Sequence, residues 1–536
     1  MSLVRHPADA PASRKPRGLF TSAAAAAGLS VLCGCGGLAS AASPVYYFSD
    51  CQAGAAAACT AGRNANAGTS ASAPKQDLKG FNVNALPAGT RLLFAKGGAW
   101  TNFNVVLRNL NVTPDNPLVF DSYAPSWGGT SPPWIKAGGS FYAFQFGTYG
   151  DTANDGGYTI RNLLLDGLGA SGAWGVHLRN DARNVTLENL EITRFDIGVH
   201  SQDSGPVGNT FLTVRNSNIH RNAEHGFLGH ALGLLLEGNT FAYNNMDGGP
   251  REHGVYLGGR GRNGIVRNNT FLNNSAPGGV CNGGNFTVHG QWDGLLVEGN
   301  RVYQDAAAGG CYGISINPGY NSAEWFRNVV IRGNVVVNVG GCGICVTSAP
   351  GALIEGNRIV NNQATYQTGI LVPDRATGPG DDADTAAVVR HNTVYFSQAG
   401  EGSTGVSARA GRDLQVASNL IYFGARSHAT HHCFSHRDRT DYAAFDGNLC
   451  HHAAGNGSWS PAHRTLAAAQ AAAFDTRGLG SDPMFSAQPT NANQWRCQLD
   501  SKSPAVNAAQ PGPNASPPGP PSSTGADIGA CERGAN

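Results

Sequence analysis

Five residues able to take part in acid–base chemistry lie close together in the segment GGPREHGVYLGGRGRNGIVRNNTF, residues 248 to 271. Histidine accepts a proton near neutral pH, arginine binds a carboxylate through two hydrogen bonds, and tyrosine can donate a proton. Such a set is typical of proton abstraction beside a carboxylate. The glycines and alternating apolar residues around it equally fit one unit of a repetitive scaffold. The five residues are Arg251, Glu252, His253, Tyr256 and Arg260.

A short unit recurs along the chain and predicts the elements that must position these side chains. Each unit contains an alternating strand, a polar turn ending in asparagine, a second short strand and, in most units, a third strand such as GVYL at 254 or GISI at 313. Three strands per turn without a helical pattern predict a parallel β-helix, with coils stacked about 4.8 Å apart. Inward asparagines then form a ladder that satisfies backbone groups. They are Asn239, Asn269, Asn300, Asn334, Asn357, Asn392, Asn419 and Asn448.

The two ends of the chain strengthen this prediction. The opening PVYYFSDCQAG and LPAGTRLLFAKGGAW, together with the closing LGSDPMF and ADIGACE, resemble the caps of the secreted right-handed parallel β-helix proteins, the pectate-lyase-like superfamily. The resemblance implies an all-β, single-stranded right-handed parallel β-helix with an N-terminal cap and a C-terminal closing segment. Lyases, hydrolases, epimerases and non-catalytic adhesins share that fold, so the side chains must indicate the reaction.

The N-terminus predicts export. Three basic residues precede the apolar stretch 19–32, which is too short to span a bilayer, so residues 1–34 are predicted to be a signal peptide. LCGC would make Cys35 a lipidated N-terminus, whereas LASAAS at 38–43 offers an ordinary cleavage site. We expect the periplasm, an outer-membrane lipoprotein or an extracellular protein. The N-terminal cap and first coils are assigned to 44–150, the coils to 151–456, and a C-terminal helix and closing segment to 457–536. That helix is expected at 460–475, with Ser460 as N-cap.

Ten cysteines outside the leader form an even set, which in an exported chain indicates disulfides. The C-x-x-C spacing of Cys342 and Cys345 would suit a redox motif in a βαβ context, which is missing from the sequence pattern, so a structural bond is favoured. Many pairings are possible, and we expect sequence neighbours to pair. These pairs are Cys51–Cys59, Cys281–Cys311, Cys342–Cys345, Cys433–Cys450 and Cys497–Cys531.

Composition narrows the partners. Lysine and arginine (37) nearly balance aspartate and glutamate (36), so there is no basic field for nucleic acid. We expect a monomer that binds a polysaccharide and meets a membrane only through the lipid anchor. No cofactor and no metal site are predicted. Ca²⁺ at Asp381, Asp382 and Asp384, or a metal in HATHHCFSH (428–436), are alternatives to a solvated loop and a disulfide.

When the repeats are aligned on the third strand, the candidate functional residues fall at equivalent positions of successive coils, which we call columns. His225 and His253 share one column with Glu224 and Glu252 beside them, and a second column contains His230 and its equivalents on later coils. An extended sugar chain would fit along these columns, although an ordinary solvated face is the competing interpretation. The predicted catalytic residues are His225, Glu252, His253, Tyr256, Arg260 and His289. The predicted substrate-binding residues are Arg221, Glu224, His230, Arg251, Trp292 and Asn317.

A β-elimination of a uronate polysaccharide is the favoured chemistry. Between Lys136 and Lys502 the chain has no lysine, so the base would be histidine, arginine or tyrosine. Arginine would neutralise the uronate carboxylate, and Tyr256 or His289 would protonate the leaving oxygen. A hydrolase using Glu224 and Glu252, a C5-epimerase, or a non-catalytic glycan-binding surface protein are the alternatives.

Overall fold

The protein is described here from a computed structural model. It describes residues 43–139, 141–148, 156–202, 208–320, 322–373, 378–409, 411–426, 428–490, 492–509 and 526–531. The chain divides into two units, Met1–Ala42 and Ser43–Asn536. The predicted signal peptide and Cys35 lie outside the described residues. Within the described ranges, no helix has both the length and the apolar character needed to cross a membrane.

Each turn of the chain adds one strand to each of three parallel sheets, which we name A, B and C. Among the described residues, sheet A has 14 strands, sheet B has 13 and sheet C has 12. Along each coil the chain passes from A to B to C, as the three-strand unit predicts. Sheet A consists of Val45–Phe48, Arg91–Ala95, Leu118–Tyr123, Gly156–Arg161, Arg183–Glu188, Thr210–Arg215, Leu235–Glu237, Arg260–Arg267, Gln291–Glu298, Trp325–Arg332, Leu353–Glu355, Val388–Arg390, Leu414–Ala417 and Tyr442–Asp446.

Sheet B is made of the short strands that follow the asparagine turns. Its strands are Ala99–Trp100, Trp134–Lys136, Leu164–Asp166, Glu191–Thr193, Asn218–His220, Thr240–Ala242, Thr270–Leu272, Arg301–Tyr303, Val335–Val337, Arg358–Asn361, Thr393–Phe396, Leu420–Phe423 and Leu449–His452.

Sheet C is made of the third strands of the repeat and carries the candidate site. Val176, Val199, Phe227, Val255 and Phe286 pair in direct register, and all five point into the core. Side chains that alternate with them therefore point outward. The strands are Val105–Leu107, Tyr142–Phe146, Trp174–Arg179, Ile197–Gln202, His225–Gly229, Val255–Leu257, Gly283–Val288, Cys311–Ile316, Cys342–Val346, Thr368–Val372, Thr404–Ala408 and His432–Ser435.

The asparagine ladder predicted from the repeats is present. The backbone N–H and the Nδ2 of Asn269 both donate to Oδ1 of Asn300, each at 3.0 Å, and Nδ2 also donates to the carbonyl of Leu236 at 2.9 Å. The same pattern runs from Asn239 to Asn448, whose backbone N–H donates to Asp475 at the end of the ladder. Buried backbone groups are thereby satisfied at every turn.

A second, shorter ladder escaped the sequence analysis. Asn222 donates through Nδ2 to Oδ1 of Asn244 at 2.8 Å, and Asn244 donates in the same way to Asn274 at 3.0 Å. All three are buried at the turn between sheets B and C. They immediately precede the turn that places the first residues of the candidate site, so this ladder holds that turn in register.

The C-terminal segment differs from its prediction. The α-helix spans only Leu466–Ala471, and its N-cap is Thr465, whose side chain accepts a hydrogen bond from Ala468 N at 3.1 Å. The expected start at Ser460 is wrong, because the Ser460 hydroxyl accepts from His463 N and closes a separate turn. The remaining elements are the antiparallel pair Phe485–Ala487 and Gln498–Leu499 and the 3-10 turns Val83–Ala85, Pro277–Gly279 and Arg439–Asp441.

All five expected disulfides are formed. The bonds join Cys51–Cys59, Cys281–Cys311, Cys342–Cys345, Cys433–Cys450 and Cys497–Cys531. Cys281 and Cys311 lie on neighbouring coils of sheet C, whereas Cys342 and Cys345 pair within a single strand. The predicted boundaries of the cap at 150 and of the coils at 456 stay predictions.

Candidate functional site

A groove with a volume of about 1130 Å³ lies on the outer face of sheet C. Strands from His225–Gly229 to Cys311–Ile316 form its floor, and the loop leading to Tyr320 forms one wall. Six residues of the sequence prediction line it: His225, Arg251, His253, Tyr256, His289 and Asn317. The other lining residues are Leu228, Pro250, Asn282, Gly283, Gly284, Thr287, Gly310, Tyr312, Ser315, Gly319 and Tyr320.

His225 and His253 lie on adjacent coils, as predicted, with ring centroids 5.9 Å apart. Nδ1 of His225 accepts a hydrogen bond from His253 N at 3.0 Å, and Nδ1 of His253 accepts from Gly284 N at 2.9 Å. An Nδ1 that accepts an N–H must carry the lone pair, so the neutral ring has its proton on Nε2. These two histidines are therefore hydrogen-bond donors at Nε2.

Burial keeps both rings neutral. It lowers the pKa of His225 to about 4 and that of His253 to about 3, in the latter case with the help of the neighbouring His225. Both rings are nearly inaccessible to solvent, and a charged imidazolium would lose its hydration there. Near neutral pH these residues present N–H groups rather than positive charges.

His289 has the opposite arrangement. Its Nδ1 lies 2.5 Å from the carbonyl oxygen of Asn317, which can only accept, so Nδ1 donates. In the neutral ring the lone pair is then on Nε2. The carboxylate of Glu324 lies 3.9 Å from Nδ1. His289 is thus the histidine of the groove that is oriented as a base.

Tyr256 and Tyr320 face His289 across the groove. Their hydroxyl oxygens are 2.5 Å apart and share a hydrogen bond, and the Tyr256 ring centroid is 5.3 Å from that of His289. Burial raises the pKa of both phenols, and for Tyr256 the hydrogen bond to Tyr320 raises it further. Both hydroxyls therefore keep their protons near neutral pH and can act as donors.

Glu324 supports the site and was missed by the sequence analysis. Its carboxylate is fully buried and accepts hydrogen bonds from the backbone N–H groups of Gly290 at 2.7 Å, Gly319 at 2.9 Å and Tyr320. These bonds hold the wall of the groove against the coil of His289. The one available signal was an isolated acidic residue before an aromatic strand in NSAEWF.

Arg251 and Asn317 complete the polar lining. Arg251 is exposed at the rim and places a permanent positive charge beside the histidines. Asn317 is buried, and its amide nitrogen donates to Ser315 Oγ, so it orients His289 through its carbonyl while its own side chain is held in place.

Trp292 does not line the groove, and the prediction that it binds the substrate is wrong. It lies in the core under sheet A with no exposed surface. It pairs in register with Gly261, where any Cβ would come within 2.2 Å of the indole ring. The glycine leaves room for an inward tryptophan, so the side chain points away from solvent.

Five further predicted residues lie outside the groove lining. Arg260 is exposed at the start of a sheet A strand, and the His230 ring lies over Gly259. Arg221 lies 5.5 Å above the Tyr243 ring at the side of sheet B. The remaining two are Glu224 and Glu252.

The two glutamates belong to an acidic turn beside the groove. The Glu252 carboxylate lies against Gly249 and accepts from Arg251 N at 3.3 Å. Burial and the charges of Asp196, Glu252 and Asp247 raise the pKa of Glu224. Neither carboxylate orients His225 or His253, whose Nδ1 atoms are occupied by backbone N–H groups.

The two candidate metal sites do not assemble. Asp381 accepts from Glu324 N, Asp382 pairs with Arg327, and Asp384 accepts from Ala349 N, so each aspartate serves a different part of the loop. Cys433, Cys450 and His452 come within ligand distance of one another, but the two cysteines form a disulfide, which removes both thiolates.

Comparisons with known proteins concern the fold. Residues 152–313 match the family model described as a right-handed beta helix region. Among solved structures, the chain resembles the lacto-N-biosidase from Eubacterium ramulus with 15% identity and a TM-score of 0.41, covering 75% of this chain and 66% of that one. The chain therefore spans just under two thirds of the length of that enzyme.

Two further structures have similar scores. Pectate lyase Pel9A has 12% identity and a TM-score of 0.38, covering 91% of this chain and 97% of that one. The PL6 family polysaccharide lyase from Pseudopedobacter saltans has 12% identity and a TM-score of 0.42, covering 64% and 82%. A search of the curated proteins found no significant match. With three parallel sheets, and with residues 152–313 matching the right-handed beta helix region, the chain has the right-handed parallel β-helix fold that its repeats predict.

Proposed function

We propose that this protein cleaves a uronate-containing polysaccharide by β-elimination in the groove on sheet C. One observation carries the proposal: backbone hydrogen bonds at Nδ1 fix the tautomers of three neighbouring histidines, so that at Nε2 two are donors and one is an acceptor. His225 and His253 accept backbone N–H groups at Nδ1 and carry their proton on Nε2, whereas His289 donates from Nδ1 to a carbonyl and, in the neutral ring, carries its lone pair on Nε2. An elimination beside a carboxylate needs both kinds of group.

The donors suit the carboxylate of the substrate. Arg251 supplies a charge, and the N–H groups of His225 and His253 supply fixed dipoles in a site where little reorganisation is needed. Hydrogen bonds to the carboxylate stabilise the negative charge that develops on it when the neighbouring carbon loses its proton. They lower the barrier to that loss.

His289 and the tyrosine pair suit the two proton transfers. His289 Nε2 removes the proton from the carbon next to the carboxylate, and the electron pair left behind forms a carbon–carbon double bond. The bond to the glycosidic oxygen breaks, and Tyr256 gives that oxygen a proton. Tyr320 can return a proton to Tyr256 through their shared hydrogen bond.

Hydrolysis by two carboxyl groups finds less support in the described lining of the groove. Glu324 is the carboxylate close to His289, and three backbone N–H groups occupy it. Glu224 and Glu252 lie outside the lining. A glycosidase needs one carboxyl to protonate the leaving oxygen and a second to attack or to activate water.

The test is incubation of the purified protein with alginate, polygalacturonate and glycosaminoglycans. We expect new reducing ends together with the ultraviolet absorbance of an unsaturated sugar. Reducing ends without that absorbance would mean hydrolysis, a changed sugar configuration without cleavage would mean epimerisation, and retention without any reaction would mean a glycan-binding protein. Arg262→Gln, which removes an exposed charge from sheet A, is the matched control for variants of the groove.

A further inference from the structure

A second cavity lies on the same face of sheet C, further along the helix axis. Its volume is about 650 Å³. Strands Thr368–Val372, Thr404–Ala408 and His432–Ser435 form its floor, and Tyr366 stands at its edge with nearly half of its surface exposed. None of these residues belongs to the groove described above.

The two cavities are built from the same columns of the sheet. Pairing of Phe286, Ile314, Ile344, Ile370 and Val406 in register defines these columns. Three positions beyond this apolar column, the first cavity has His289 and the second has Arg409 and Arg437. One position beyond it, the first has Tyr256 and the second has Ser407 and Ser435. Each coil repeats the geometry of its neighbour with a different side chain.

The axial distance follows from the coil count. Arg409 is four coils from His289 in their shared column, which corresponds to about 19 Å. The strand Cys342–Val346 separates the cavities, with its internal disulfide in the same columns. The side chains of that strand are buried, so an extended ligand that contacts both cavities must cross this coil without contacts to its side chains.

The described lining of the second cavity contains two arginines, whereas that of the first contains one, Arg251. The charged side chains among its described lining residues are Arg409 and Arg437. Arg409 is exposed, and Arg437, also exposed, lies 3.6 Å from the carboxylate of Asp441. Guanidinium groups on adjacent coils, spaced about 4.8 Å apart along the axis, suit the acidic groups of an extended anion.

The backbone beneath the arginines is fixed. The hydroxyl of Tyr442 accepts from Arg437 N at 3.1 Å and donates to the carbonyl of Ala408, so one phenol joins the two arginine coils. Arg409 N donates to Val372 O at 2.8 Å. The floor between them carries small hydroxyl side chains, and the Tyr366 hydroxyl bonds to Thr368 Oγ1 at 3.0 Å, which turns the ring into the cavity wall.

We propose that this second cavity is a distal subsite, in which Arg409 and Arg437 bind acidic groups of the same polysaccharide whose bond lies at His289. The identity of the ligand rests on the proposed function, whereas the charged cavity is independent of it. The subsite makes the protein prefer long acidic chains, because a chain must span about four coils to reach Arg409 from His289. Tyr366 supplies an aromatic face for one sugar ring.

The first test is binding by calorimetry in a His289→Gln background, which prevents turnover. The probes are polygalacturonate and alginate polymers, and the variant adds Arg409→Gln and Arg437→Gln, with Arg262→Gln as the control. We expect the double arginine variant to bind one of the polymers about 10-fold more weakly, and the control to bind normally. Equal weakening in the control, or no weakening, would overturn the subsite. So would a failure of every polymer to bind.

The second test separates the subsite from the chemistry. With the otherwise wild-type enzyme, the two arginine substitutions should raise KM for the polymer about 10-fold while leaving kcat unchanged. A trisaccharide, too short to reach Arg409 from His289, should be cleaved equally by both enzymes. A loss on both substrates contradicts the subsite. Polymer binding that depends on the arginines without any cleavage would contradict the elimination and retain the subsite.

Discussion

The asparagine ladder and the histidine groove are both stacks of equivalent residues on successive coils, yet they use their polar atoms differently. In the ladder, Asn300 donates to Asn334 and to Val266, while its Oδ1 accepts from Asn269. In the groove, Nδ1 of His225 and Nδ1 of His253 each accept a hydrogen bond from a backbone N–H. Their second nitrogen is left for the groove that both rings line.

This difference shows how a functional site can be built on a repetitive scaffold. A stack whose donors and acceptors are satisfied within the protein contributes stability and offers nothing to a ligand. In a stack where only one nitrogen of each ring is bonded to the backbone, that bond orients the ring and the other nitrogen can contact a ligand. The two regions should therefore respond differently to substitution: the groove in activity, the ladder in stability.

The largest effect is expected at His289. His289→Gln removes the proposed base and should lower kcat on the cleaved polyuronate by about 10³-fold, since general-base catalysis contributes roughly that much. Thermal unfolding should change little, because the Asn317 carbonyl can be reached by a glutamine amide. A loss of folding in parallel with activity would place His289 with the ladder as a structural residue.

The ladder should show the reverse. Asn300→Ala leaves the N–H of Asn269 and the carbonyl of Val266 without their partners in the buried turn, and should cost about 3 kcal/mol of unfolding free energy. The measurement is chemical denaturation. Asn282→Ala, at an exposed asparagine in the groove lining, is the control and should cost less than about 0.5 kcal/mol. Equal costs would erase the distinction between the regions.

Substitution of Tyr256 tests which residue of the groove donates the proton to the leaving oxygen. Tyr256→Phe keeps the ring against His289 and removes the proposed proton donor, so kcat should fall about 10²-fold. Tyr320→Phe should have a smaller effect, because it removes the partner and leaves the donor. The ratio of kcat values measures this order, and a larger effect of Tyr320→Phe would make Tyr320 the acid.

The smallest effect concerns pH. His253 has a pKa of 6.5 when unfolded and about 3 when folded, so below pH 6.5 the unfolded chain binds a proton that the folded protein refuses. Stability therefore falls as pH drops, by about 2 kcal/mol between pH 6.5 and roughly 4.5 from this residue. His253→Gln should lose less stability than the wild type over that window, measured by denaturation at each pH.

The end of the ladder should respond with the opposite sign. Burial raises the pKa of Asp475 to about 7, so the folded protein binds a proton more tightly than the unfolded chain. Its contribution to stability is largest at low pH and decreases as pH rises from 3.8 through 7. Asp475→Asn should flatten that part of the pH profile. If the dependence of stability on pH is unchanged in both variants, then neither the burial of His253 nor that of Asp475 controls how folding responds to acid.

The sequence alone determined the coil and its columns. Period-two strands, turn asparagines and insertions at one place are local signals, so they predicted the fold, the ladder and the proximity of His225 to His253, while the disulfide pairs were expected from sequence neighbourhood alone. Arg251, Tyr256, His289 and Asn317, which the sequence also singles out, line the groove. Residues at equal offsets in a solenoid become neighbours, so such groupings can be read from the repeats.

The protonation and direction of each side chain depend on contacts that form in the folded protein. Whether a histidine accepts or donates at Nε2 depends on which backbone group meets Nδ1, and that group comes from another coil. Trp292 points inward because its register partner on the neighbouring coil is Gly261. Glu324 holds the wall of the groove because three N–H groups from neighbouring loops converge on its carboxylate. Such contacts join residues far apart in the chain, so no local pattern encodes them.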